Sequence, residues 1–185
     1  MYHIKDDKRS KTSAALICEG LNQCLKEKTF SKITITDVQQ ASTVGRATFY
    51  RNFDSLADVL TYQCDLVFEQ LFEIHEKKQT QSVDELMFFF IDSWMKQNIL
   101  LEAIVSSNRT DILYDVYRSK TDKFKKQLSI NIVMSEEQLD FLVAIATSCL
   151  AGILIVWIQH GKKESAKQLL KVVKNSIKIF SMSIQ

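Results

Sequence analysis

The chain has 185 residues, 46% of them hydrophobic and 25% charged, with a formal charge of +2. These are ordinary globular values; they exclude wholesale disorder and allow one large domain or two small ones to bury a core. Proline is absent and glycine occurs four times, which excludes the frequent turns of a strand-rich fold and makes all-α the expected class. Residues 1–60 carry nine Lys/Arg against seven Asp/Glu, and the remainder balances at fifteen each. Any nucleic-acid surface must therefore come from local placement rather than bulk charge.

The opening MYHIKDDKRSK lacks the apolar h-region of a secretory signal, so the expected compartment is the cytoplasm. A first helix is expected over 10–27, where Ile17, Leu21 and Leu25 recur every four residues with Ala14, Cys18 and Cys24 beside them. Phe30 and Ile33 follow as plugs for a small core. Thr34 and Asp37 stand three apart, as in a capping box with Asp in place of Glu, and open a short second helix that ends near Ala41–Ser42. Ile35, Val38 and Ala41 are its inward positions.

The stretch STVGRATFYRNF, 42–53, reads as a sharp turn into a third helix. With Gly45 as N-cap, Val44 is N′ and Phe49 is N4, the positions of a hydrophobic staple. Phe49 and Phe53 mark the buried stripe. Arg46, Ala47, Thr48, Tyr50 and Asn52 are left on the outside, with Arg51 beside them. Two short helices at a sharp turn, braced by a third, make a helix-turn-helix, whose second helix presents its first turn to base edges in the major groove. Arg46 suits guanine O6 and N7, and the methyl of Ala47 or Thr48 suits a thymine methyl. Tyr50, Asn52 and Thr36 suit phosphates, with the second helix's amides as a further anion site.

Ser55 and Asp58 cap a fourth helix running through Ile74, shared by both parts of the chain. Beyond it, helices are expected over 83–105 with a break at Gln97–Asn98, and over 109–130, 136–160 and 164–182. Gly161 closes the apolar one. Its segment FLVAIATSCLAGILIVWI, 141–158, has eighteen uncharged residues, the minimum for a membrane span. Thr147, Ser148 and Gly152 interrupt it, and a helix covered at a subunit interface gives the same pattern, so no membrane is expected. Cys18, Cys24, Cys64 and Cys149 show no CxxC spacing and read as reduced, mostly buried thiols. No metal site, cofactor or enzymatic constellation is expected: no nucleophile–base pair or phosphate-cradling glycine loop occurs.

ALICEGLNQCLKEKTFSKITITDVQQASTVGRATFYRNFDSLADVL resembles the N-terminal DNA-binding domain of the TetR family of bacterial transcriptional regulators, over about residues 10–62. The motif is V-x-R-x-T-F-Y-R-x-F: Val44, Arg46, Thr48, Phe49, Tyr50, Arg51 and Phe53. The resemblance implies a DNA-binding domain over 1–60 and a helical effector-binding and dimerisation domain over 61–185. It further implies a ligand-responsive repressor that binds an inverted-repeat operator as a homodimer. The end of the apolar helix, with Ile153, Val156 and Trp157, is then the expected dimer interface. Phe88, Phe89, Phe90, Trp94, Tyr114, Tyr117, Phe124 and Trp157 recur at helical spacings, and core packing is the expectation for most of them. The cavity implied by the resemblance would take Trp94 and Tyr117 as wall residues and a small apolar or aromatic effector. The chain departs from the family at Thr43, often glycine, at Gly45, often serine, and at Asn52, often histidine. At Leu56 it lacks a lysine that meets the DNA backbone in the family. Leu56 motivates an alternative: a TetR-fold co-regulator acting mainly through a protein partner.

Overall fold

The computed structural model describes residues 1–78, 82–120, 122–123 and 135–183. Over these residues the chain is all-α: α1 (Lys8–Glu27), α2 (Ile35–Ser42), α3 (Arg46–Asn52), α4 (Leu56–Lys78), α5 (Val83–Lys96), α6 (Asn98–Ser106), α7 (Asp111–Ser119), α8 (Glu136–Gln159) and α9 (Ala166–Ser183), with a 3-10 turn at Phe30–Lys32. Residues 122–123 are also helical. The rest of the helix expected over 109–130, with Phe124, lies outside the described residues.

Side-chain caps set most of the boundaries. Asp7 accepts from Ser10 N–H at 2.8 Å and starts α1 two residues ahead of the expected position. The Thr34–Asp37 capping box is formed in both directions. Ser55 and Asp58 exchange the same pair of bonds before α4, as do Ser135 and Gln138 before α8. Gln97, with φ −94° and ψ 39°, breaks α5 from α6 where the sequence places the break. Gly161 takes φ +80°; Lys162 N–H bonds Trp157 C=O and Gly161 N–H bonds Ile158 C=O, which satisfies the last carbonyls of α8.

α1 packs against α2, α3, α4 and α6. Its crossing with α2 is close: a Cβ on Gly20 would stand 2.7 Å from Ser42 Cβ, so only glycine fits. The apolar core is continuous from Ala14 in α1 to Val173 in α9. The 60/61 division therefore falls inside α4, whose Leu60 and Cys64 are fully buried. α8 sets Leu139, Val143, Leu150, Ala151, Leu154 and Trp157 inward, packed on α5, α6 and α7. Its length and composition would suffice to cross a membrane.

Candidate nucleic-acid interface

The turn between α2 and α3 is three residues. Thr43 adopts the left-handed region at φ 57°, an outlier for a β-branched residue. Val44 then turns inward, its N–H donating to Ser42 Oγ at 3.3 Å. Phe49 and Phe53 are fully buried, tilted against each other at 6.0 Å, and Tyr62 of α4 meets Phe53 edge-on at 5.7 Å. This apolar seat fixes which way α3 faces. Arg46, Ala47, Tyr50 and Arg51 are exposed and Thr48 is partly covered, with Thr36 exposed in the first turn of α2. The Arg46 guanidinium lies 5.5 Å from the centre of the Tyr50 ring, a cation–π contact one turn apart that holds both side chains over the outer face. Lys28 pairs with Asp37 at 2.7 Å. That pairing, with hydrogen bonds from Thr34, holds the Asp37 carboxyl down at about 2.

Asn52 departs from expectation. The sequence reading puts it outside, but it is 1% exposed. Its Nδ2 donates to Thr48 C=O at 2.7 Å and its Oδ1 accepts from Ser10 Oγ at 3.0 Å, so it is no phosphate contact. The signal was available: Asn52 lies three residues after Phe49 and one before Phe53, on the inner face of the helix. Leu56 packs against the core at the start of α4, an apolar contact where the family resemblance has a lysine.

Residues 96–178 match the TetR-type family described as "Transcriptional regulator C-terminal region". No curated protein matches the chain in sequence. Among solved structures, Lin0861 from Listeria innocua aligns over 96% of each chain at TM-score 0.73 and 19% identity. The dihydroxyacetone kinase operon activator DhaS aligns over 90% of this chain and 97% of its own, at TM-score 0.61 and 15% identity. The TetR family repressor AlkX from Dietzia sp. strain DQ12-45-1b aligns over 92% and 95%, at TM-score 0.58 and 17% identity. At such identities these likenesses carry the fold alone.

The C-terminal half of the chain is similar to the C-terminal region of TetR-type transcriptional regulators. The N-terminal half carries the helix-turn-helix formed by α2 and α3. In the C-terminal half, Trp94 and Tyr117 are 0% and 1% exposed. They form a cluster with Phe68 and Phe90, Tyr117 edge-on to Phe68 at 4.8 Å and Trp94 at 5.5 Å. Trp94 Nε1 and Tyr117 Oη have no hydrogen-bond partner among the described residues. Burial pushes the Tyr117 hydroxyl well above its ordinary range, and the Cys64 thiol beside it likewise.

The residues expected at the dimer face separate. Val156 is 46% exposed. Ile153 is half-buried against the chain's own core. Trp157 is a correction: it is buried, and its Nε1 donates to Glu164 C=O at 3.0 Å, because the chain folds back over it through Gly161. Val156 continues a bare face of α8 that begins at Phe141 and Ile145, 66% and 62% exposed, with Val156 about three turns beyond Ile145. Cys149 is also exposed, against the expectation of mostly buried thiols, while Cys18 and Cys64 are buried. On α9, Val172, Ile177, Ile179 and Phe180 face outward.

Proposed function

We propose that the protein reads DNA as a homodimer, one α3 in the major groove of each half-site of an inverted repeat. The outward first turn of α3 carries this reading, with Arg46 and the Ala47 and Thr48 methyls at base edges and Thr36, Tyr50 and Arg51 toward phosphates. Dimerisation is supported by the bare apolar faces of α8 and α9, larger than isolated apolar residues on a monomer surface. A second subunit would cover them in a four-helix arrangement, in a cytoplasmic protein. The two functional halves proposed are 1–60 and 61–185, sharing α4. The regulation proposed is repression, the family tendency; AlkX is a repressor and DhaS an activator.

The proposed effector is a small apolar or aromatic molecule bearing a hydrogen-bond acceptor. The orphaned donors of Trp94 and Tyr117 support this: leaving each buried and unpaired costs about 1–3 kcal/mol. Such a molecule releases DNA only by favouring a conformation in which the two α3 helices no longer fit adjacent grooves; equal affinity for both states shifts nothing.

Arg46→Ala is expected to weaken binding to the preferred operator by about 1–3 kcal/mol and to relax selectivity at one base position. Tyr50→Ala is expected to abolish it, with helical content and oligomeric state unchanged. Fluorescence anisotropy on labelled duplexes measures both; wild-type affinity in both variants contradicts the reading. The packed Leu56 favours a second reading, a co-regulator acting mainly through a protein partner. Its mark is DNA affinity that hardly responds to salt, because few phosphates are then neutralised.

A further inference from the structure

The first residues of the chain run antiparallel to the end of α3. His3 N–H donates to Asn52 C=O at 2.8 Å and Asp54 N–H to Met1 C=O at 3.3 Å, on either side of a bridge between Tyr2 and Phe53. Lys5 N–H bonds Ser10 Oγ at 3.1 Å, and the same hydroxyl donates to the Asn52 side chain. The last residue of the recognition helix is thus held at its carbonyl and at its side chain by residues 2–10.

Tyr2 also reaches α4. Its ring meets Tyr62 edge-on at 5.2 Å, and its hydroxyl donates to Asp65 Oδ2 at 2.7 Å. The other oxygen of Asp65 faces Lys120 Nζ, just past α7, at 3.0 Å; Lys120 also meets Glu69 at 2.9 Å. The Lys120 and Asp65 side chains are 18% and 14% exposed, so solvent screens this pair less than an open surface pair. Tyr117 of the aromatic cluster stands one turn before Lys120 on the same stretch of chain.

We propose that Tyr2 is a positioning residue that ties the seat of the recognition helix to the end of α7 through the shared Asp65 carboxylate. Lys120 holds one oxygen and so turns the other toward Tyr2. A shift of α7 that takes Lys120 away frees the carboxylate to rotate, and the arm loses its anchor on α4. The regulatory meaning of this link rests on the DNA-reading role proposed for α3. The link itself does not.

Amide exchange at His3, followed by NMR on the full chain without DNA, tests it in wild type, Tyr2→Phe, Lys120→Met and the double variant. Tyr2→Phe keeps the ring against Tyr62 and removes the hydroxyl. His3 exchange is expected to rise about tenfold in Tyr2→Phe, the scale of one charge-assisted hydrogen bond. Lys120→Met is expected to raise it in the wild-type background and to add nothing in Tyr2→Phe, while Lys120→Arg restores protection. Should Lys120→Met fail to fold, Asp65→Asn carries the same comparison. Equal acceleration in both backgrounds, no acceleration in either, or matching acceleration of α8 amides overturns the proposal. Failure to bind DNA would count against the reading of α3 alone, since this readout needs no operator.

Discussion

Thr43 shows how a single residue can conflict with the turn it occupies. Its φ of 57° forces a β-branched side chain into a region that costs an L-residue about 1–2 kcal/mol and costs glycine nothing. Thr43 is exposed, so removing its side chain forfeits little packing. Thr43→Gly is expected to stabilise the protein by about 1 kcal/mol, net of the greater freedom of glycine in the unfolded chain. The urea midpoint measures it; a lower midpoint would show that the threonine side chain contributes more than its backbone strain. Most of the outward face of α3 was legible at this scale, because Val44, Phe49 and Phe53 set its phase. The surroundings of Asn52 were not. They come from Tyr2, His3 and Ser10, more than forty positions away, which local periodicity does not register. The Tyr2–Asp65 and Asp65–Lys120 contacts were illegible for the same reason.

Among the elements, α2 was readable end to end, because its cap is local chemistry. The Thr34–Asp37 box lies within four residues, and Lys28 adds an ion pair nearby. That pairing lowers the folded-state pKa of Asp37 from an ordinary 3.8 to about 2. A depressed carboxyl contributes stability above its unfolded pKa and loses it as pH falls through the folded one. The contribution of Asp37 should therefore be complete above about pH 5 and disappear between about 4 and 2. Urea midpoints recorded against pH for wild type and Asp37→Asn check this: the difference between them should shrink across that window. A difference that stays constant to pH 2 contradicts it. α8 was the opposite case. Its eighteen uncharged residues announce a helix, but with hydrophobic positions all round, the 3.6-residue period cannot say which face turns inward. Periodicity therefore does not separate Trp157, which is buried, from Phe141, which is exposed.

At the scale of the molecule, the all-α class followed from composition, and the order of helices from caps and breaks. How the helices close into a single core could not be read, since that depends on pairings across the chain such as α1 with α6 and α9 with α5. The exposed faces of α8 and α9 carry the proposal of a homodimer. Ile145→Glu, at a position 62% exposed in one subunit, sets a charge in the middle of that face. Desolvating an unpaired carboxylate at an interface is costly. The variant is expected to sediment as a monomer at concentrations where the wild type is a dimer, with helical content unchanged. A dimer that survives the substitution would place the subunit contact elsewhere.

Paired reading of DNA by two α3 helices is the proposal on which the regulatory function depends. The most direct test is to select purified full-length protein against random duplex DNA at moderate salt and sequence what it retains. An inverted repeat is expected to be enriched, its half-site centres about one helical turn apart or a multiple of it. A folded dimer that enriches no sequence would contradict the proposal and leave the protein-partner reading in its place.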